Sequence, residues 1–327
     1  MSGRQALSWR SPGQKRRYSR GMDLVEARLQ AAAAGCPGAL GDACRATLAA
    51  GGKRVRPLLA LLCARRDAEL TEPVLRAAAS VELLHMATLV HDDILDRAEL
   101  RRGRATVAHE FGADIAVSSG NFLLARAFTE LVGAGDAEAV ALLSATAVGL
   151  SEGEVLQRDD AHRVTVTAAE YERRCERKTA DLFAAACGLG AMLSGAGDEV
   201  AAAVAEFGRL IGLAFQVFDD ILDLSGEEQA TGKRPGTDVR DGTITLPLIL
   251  ALDLRPGLGA LLARDEIDDD DVDSILEDVV RCGALEGARA VALGYIEQAR
   301  TILDACPNLV ERELLNEVAA RVVDRYS

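Results

Sequence analysis

Aromatic side chains are scarce in this chain: 4% of 327 residues, with a single tryptophan. Strand-rich cores draw on aromatic and β-branched residues, so this shortage in a chain rich in alanine and leucine points to helix. No sustained apolar/polar alternation of strand type appears, and no repeat of 20–50 residues is visible. Cysteine is present in seven scattered copies without a CxxC pair. That excludes a disulfide framework and a zinc site; buried free thiols in a reducing cytosol fit better. The longest uncharged stretch, 182–197, has 16 residues and four glycines. It is too short and broken to span a bilayer and reads as a buried core helix, so no membrane span is expected. Positive charge is in deficit, with 37 Lys+Arg against 51 Asp+Glu and a net charge of −14. An acidic chain argues against nucleic acid as a partner. Taken alone, the charge also argues against an anionic substrate.

What is present is apolar enough, at 49% hydrophobic, for a large folded core. Residues 1–21 hold Arg4, Arg10, Lys15, Arg16, Arg17 and Arg20 and no acid. No apolar stretch follows, so this is not a signal peptide. Residues 1–22 read as a basic, disordered tail, and 23–327 as one all-α domain of many packed helices. Asp23 can cap a first helix ending near Gly35. Thr71 and Pro73 open a run to Leu95. Thr167-Ala-Ala-Glu170 is a capping-box pattern ahead of a run through Cys187, and Asp198 opens a helix through Leu224. The acid run 265–273 lacks the Gly and terminal Glu of an EF-hand loop and reads as a loop and helix start.

One pentapeptide occurs twice: DDILD at Asp92, Asp93 and Asp96, and again at Asp219, Asp220 and Asp223. On a helix, Asp92 and Asp96 fall about 40° apart, one turn apart on one face, and Asp219 and Asp223 do likewise. Clustered carboxylates repel one another and need a positive partner. A hard divalent cation meets that need, and Mg²⁺ prefers one or two carboxylates plus substrate phosphate oxygens. Two identical copies, each after an apolar turn, argue against a merely solvated acidic face. Cations supply the other half: Lys53, Arg54 and Arg56 in GGKRVRP, Arg101 and Arg102 in RRG, Lys178 and Lys233. GGK lacks the Walker spacing. Lys and Arg beside metal sites describe a pocket for two diphosphates, with Arg gripping bidentately. His85 lies about 20° from Asp92 and two turns below, on the face of the first acidic cluster. His91 lies about 100° off that face.

GGKRVRP, HMATLVHDDILD, RRG, KTA, FQVFDDILD and GTDVRDGTITLP stand in the order and spacing of the trans-isoprenyl diphosphate synthases, the polyprenyl synthetase family. The chain resembles that family over roughly residues 24–325. The resemblance implies an isoprenoid-synthase-type helical bundle around a deep central cavity, a cytoplasmic homodimer, and a Mg²⁺-dependent prenyltransferase. Such an enzyme condenses isopentenyl diphosphate with an allylic diphosphate. It further implies that Asp92, Asp93, Asp96, Asp219, Asp220 and Asp223 hold Mg²⁺ bound to the allylic diphosphate, which Arg101, Lys178 and Lys233 contact. Lys53, Arg56, His85 and Arg102 would grip isopentenyl diphosphate, and Thr179 and Gln216 would line the reacting centre. Three positions depart from the family pattern: Thr243 where Lys is frequent, Asn121 where Asp is frequent, and Ala105 where Pro is frequent. The −14 charge then ceases to exclude an anion, because six of the acids would bind it through metal.

Thr88 lies about 6 Å and Leu84 about 12 Å below Asp92 along the helix, with Ala87 beside this track. In the family a bulky aromatic at Ala87 or Thr88 stops elongation early; both are small here, and a product longer than C20 is expected. A C15–C20 product is the alternative, with Leu84, Phe122 or Phe128 as floor. A terpene cyclase is disfavoured by the second DDILD. A regulatory subunit of a heteromeric synthase has Thr243 as its only support.

Overall fold

The computed structural model describes residues 7–225, 235–306 and 310–324. Helix α1 runs Pro12–Ala34; Ser11 caps it by accepting from the Gln14 amide, and Pro12 suits the first turn. Then follow α2 (Gly38–Ala49), α3 (Val55–Cys63) and α4 (Glu72–Leu95). A two-residue antiparallel pair, β1 (Leu100–Arg101) and β2 (Arg104–Ala105), leads to α5 (Val107–Phe111), α6 (Ala113–Val132) and α7 (Ala137–Asp159). Helix α8 (Ala168–Cys175) passes through a π turn, Glu176–Ala180, into α9 (Asp181–Leu193), and α10 spans Asp198–Leu224. Beyond lie α11 (Thr237–Arg240), α12 (Leu246–Leu254), α13 (Gly259–Leu262), α14 (Asp269–Cys282), α15 (Ala284–Ala305) and α16 (Arg312–Asp324). The architecture is all-α. The Thr167–Glu170 capping box forms with both halves in place, and the acid run opens α14, capped by Asp268.

One expectation changes: α1 starts ten residues before Met22, and the described part of the basic segment, residues 7–21, is docked. Tyr18 is fully buried with Met22, Val25 and Leu29, and its hydroxyl donates to Glu311 (3.1 Å). Arg17 donates to the Arg65 and Arg66 carbonyls, and Arg10 pairs with Glu313. The cations point outward while the 18/22/25/29 stripe points in. Packing divides the chain into two compact units. The first comprises Met1–Ala147, Leu182–Gly208 and Ile302–Val318; the second comprises Val148–Asp181, Arg209–Thr301 and Ala319–Ser327. The divide falls within helices, so no linker composition signals it.

In the first unit α4 is the central helix, packed by α1, α3 and α6. Glycines permit the close approaches. A side chain at Gly120 would meet the His91 ring, and one at Gly190 would lie 2.0 Å from the Ala60 carbonyl oxygen. In the second unit α12 packs against α8 and α14. Among the described residues, three helices are long and apolar enough to cross a membrane, by length and composition alone: α4, α7 and α10. The apolar window of α4 is 72% buried within the structure, which accounts for its hydropathy as core; that of α7 is 33% buried.

Candidate active site

In the first unit, α4 carries His85 and the first acidic motif toward its C-terminus. Asp93 is buried and accepts from Arg101 Nε at 2.7 Å. Asp92 is half-buried and Asp96 exposed. Arg101 sits on the β1–β2 hairpin, whose tip places Arg102 in a left-handed conformation (φ 54°) and lets its guanidinium reach the Gly51 carbonyl. Gly51 itself has φ 75° and Arg54 φ 50°, so the GGKR segment turns sharply into α3. Arg54 is spent on Glu82 (2.8 Å) and Glu26 (3.3 Å). Lys53 is exposed. Arg56 lies 4.4 Å over the Phe183 ring; burial lowers its pKa to about 10 against the opposing pull of Glu82, and Arg102 lowers it further. Its Nε is buried without a hydrogen-bond partner.

His85, Arg54, Arg101, Arg102 and Asp93 line one pocket with Met86, Leu89 and Val90 at its apolar wall, about 530 Å³ including its mouth. Burial, then Arg56, Arg102, Arg101 and Arg54, hold the His85 imidazolium well below its usual range. At neutral pH His85 is therefore an uncharged imidazole among arginines. The chain-length candidates lie away from this pocket's lining. Leu84 and Ala87 are each 1% exposed. Thr88 is half-buried and donates to the His85 carbonyl (2.9 Å).

In the second unit, the second acidic motif ends α10. Asp219 is exposed, Asp220 buried and Asp223 half-buried. Asp220 accepts from the Tyr171 hydroxyl (2.6 Å) and the Gln216 amide (2.8 Å). Asp223 accepts the Thr237 and Asp238 amides at 3.1 and 2.9 Å, anchoring the start of α11. Gln216 in turn accepts from Thr179 (2.7 Å), which sits in the π turn beside Lys178. Such turns recur at functional sites. Lys178 pairs with Glu154 at 2.5 Å, and Gly153 admits it: a Cβ there would lie 2.5 Å from the Lys178 amide. A pocket of about 350 Å³ is lined by Tyr171, Lys178, Gln216, Asp220, Asp238 and Thr243, among others. Thr243 is buried. Of the two remaining departures, Asn121 is exposed, and Ala105 lines the first unit's pocket. Lys233 lies outside the described residues.

Arg101 and Lys178 are thus not idle cations: each is ion-paired with a carboxylate. Sequence reasoning missed Tyr171, Glu154 and Gly153, because none stands inside a repeated acidic or cationic motif. It gave Asp238 no role, although Asp238 stands in the GTDVRDGTITLP motif.

Among the described residues, no three Asp, Glu, His or Cys side chains converge into a protein-only metal cage. The donor set nevertheless fits Mg²⁺, which takes one or two carboxylates and completes its shell with phosphate oxygens. Burial raises the Asp220 pKa to about 7 even though Tyr171 and Gln216 donate to it, and Asp219 raises it further. Asp238 is held well above the usual carboxylate range by burial and by Asp220, Asp223, Asp219 and Asp241. These carboxylates raise one another's pKa, a repulsion that a bound cation would relieve.

Comparison with known proteins places the chain. The polyprenyl synthetase family profile matches residues 38–279. Heptaprenyl diphosphate synthase component 2 of Geobacillus stearothermophilus is 37% identical, over 92% of this chain and 94% of its own length. Geranylgeranyl diphosphate synthase of Methanosarcina mazei is 37% identical, over 88% and 90% respectively. Among solved structures, the heptaprenyl diphosphate synthase of Staphylococcus aureus superposes with a TM-score of 0.90 at 30% identity, covering 95% of this chain and 99% of its own. A polyprenyl synthase of Caulobacter crescentus, complexed with calcium and isoprenyl diphosphate, superposes with a TM-score of 0.84 at 33% identity, covering 96% of each chain. An all-α chain bearing two carboxylate motifs, each with arginine or lysine close by in its own unit, is therefore a prenyltransferase and belongs to the polyprenyl synthetase family.

Proposed function

We propose that this prenyltransferase uses Mg²⁺ to join isopentenyl diphosphate to an allylic diphosphate and builds an all-trans product longer than C20. The observation that carries the reading is the first unit's pocket, where three arginines and a neutral histidine meet Asp93 against an apolar wall. Arg102, His85, Arg56 and Lys53 hold the isopentenyl diphosphate. Asp92, Asp93 and Asp96 of the first unit and Asp219, Asp220 and Asp223 of the second would hold Mg²⁺ with the allylic diphosphate, which Arg101 and Lys178 would contact. Mg²⁺ when bound supplies the positive charge that makes diphosphate a good leaving group. The arginines and lysines neutralise the charge that grows on that diphosphate. Apolar walls keep water from the allylic cation. The isopentenyl double bond then attacks, and the released diphosphate takes the proton lost.

Small residues at Ala87 and Thr88 support a long product; relatives of heptaprenyl and geranylgeranyl type are equally similar, so the C15–C20 reading keeps Leu84 as its floor. A homodimer is supported by α7, which exposes Leu142, Val148 and Val155. One relative's name, component 2, makes a second, different subunit the alternative. All seven cysteines are free thiols, which supports a cytoplasmic setting.

Calorimetry tests the assignment of the two substrates. Isopentenyl diphosphate is expected to bind the metal-stripped chain, and an unreactive allylic thiodiphosphate only when Mg²⁺ is added. Allylic binding that ignores Mg²⁺ would overturn the role of the acidic motifs.

A further inference from the structure

Tyr171 belongs to none of the sequence motifs, yet it ends a directional hydrogen-bond chain in the second unit. The Thr179 hydroxyl donates to Gln216 Oε1, the Gln216 amide donates to Asp220 Oδ1, and the Tyr171 hydroxyl donates to Asp220 Oδ2. Every donor points toward Asp220, and both carboxylate oxygens are engaged. The terminal torsion of an aspartate is broad when nothing holds it; two donors on opposite oxygens remove that freedom.

Tyr171 is itself closely packed. It is 3% exposed, and the Arg174 guanidinium lies 5.5 Å over its ring. Arg174, also buried, donates to Asp160 (3.1 Å) and to the Ile244 carbonyl (2.6 Å). A buried tyrosine needs a partner for its hydroxyl, and packing alone could explain that much. It does not explain the choice of partner. A backbone carbonyl would satisfy the hydroxyl without placing a carboxylate in the interior beside Asp219, and a buried carboxylate is costly unless it is paired or holds a metal.

We infer that Tyr171 is a positioning residue, whose hydroxyl orients the Asp220 carboxylate toward the metal–diphosphate group held at the second DDILD motif. The inference rests on the function proposed above. Because Gln216 carries the chain on to Thr179, Tyr171 also ties the acidic motif to the π turn that bears Lys178. Removing one oxygen atom, as in Tyr171→Phe, should loosen Asp220 without emptying the core.

The test uses the full chain: wild type, Tyr171→Phe, Asp220→Asn and the double variant, titrated calorimetrically with Mg²⁺ plus inorganic diphosphate. Tyr171→Phe is expected to bind at least tenfold more weakly, with kcat reduced and KM for isopentenyl diphosphate unchanged. In the Asp220→Asn background it should add little, because it acts through Asp220. Equal losses in both backgrounds, or wild-type binding by Tyr171→Phe, would overturn the positioning role. Wild-type protein that neither binds Mg²⁺–diphosphate nor turns over would instead overturn the proposed function, and this inference with it. Should Tyr171→Phe fail to fold, wild-type chain labelled at the tyrosine ¹³Cζ serves, with signals assigned through Phe variants of the other tyrosines. The Tyr171 signal should move when Mg²⁺ and diphosphate are added together while that of Tyr18 stays; an unmoved Tyr171 signal overturns the proposal.

Discussion

Arg101 holds Asp93. The Nε–Oδ1 distance is 2.7 Å, with the carboxylate side chain 7% exposed and the guanidinium side chain 29% exposed. Removing Arg101 takes a charged donor from a buried carboxylate, at a cost of about 2 kcal/mol. Arg101→Leu should therefore melt several degrees below wild type as well as lose activity. Adding Asp93→Asn should recover part of the stability and none of the activity. If Arg101→Leu melts like wild type, the pair has no structural role.

Asp92 is half-buried at the same helix end. Its loss should strike the chemistry. Asp92→Ala is expected to lose at least ~100-fold in kcat, on the order of 3 kcal/mol of transition-state stabilisation. Near-normal turnover would refute its part in metal binding.

The Asp220 carboxyl titrates near pH 7 in the fold against 3.8 for the free side chain, chiefly through burial. A native state that keeps a proton the unfolded chain has lost becomes less stable as pH rises through that window, from about 4 to about 7, and then levels off. His85, lowered in the fold, adds the opposite slope below 6.5, common to wild type and variant. Melts in chelator from pH 4 to 8 should thus show Asp220→Asn gaining on wild type as pH rises, with the largest margin at pH 8. A variant that stays below wild type at pH 8 contradicts the burial penalty.

Gly153 faces the Lys178 backbone, where a Cβ would lie 2.5 Å from the amide nitrogen and 2.8 Å from Cα. Gly153→Ala should force the π turn aside and cost roughly 2 kcal/mol of stability. Binding of the allylic thiodiphosphate should weaken in parallel. An alanine variant with wild-type melting and binding would show that the turn yields freely.

Ala87 is 1% exposed, which sharpens the chain-length expectation. If Ala87 borders the tail's path, Ala87→Phe folds and its longest product shortens. If it is ordinary core, the added ring costs about 1–3 kcal/mol or more and product length is untouched. Chromatography of the dephosphorylated products, beside a melt, separates the two cases.

The helices and the acidic motifs were legible because each depends on local spacing. Asp198–Leu224, the Thr167 box and the Leu95 terminus all appear where periodicity and capping chemistry put them. The start of the first helix was hidden by its cations: Lys15, Arg16, Arg17 and Arg20 read as part of a solvated tail, while Tyr18, Met22, Val25 and Leu29 kept a helical stripe beneath them. The π turn was invisible because one extra residue per turn leaves no compositional trace. Tyr171 for Asp220, Glu154 for Lys178 and Thr237 for Asp223 came from segments 14 to 49 residues away, and no single-sequence pattern encodes such meetings.

The most direct measurement is elongation itself. Purified chain, Mg²⁺, labelled isopentenyl diphosphate and allylic primers of several lengths are incubated, and the dephosphorylated products are sized. A ladder extending beyond C20 that vanishes in chelator is expected. No elongation from any primer, with activity restored only by an intact partner subunit, would contradict it.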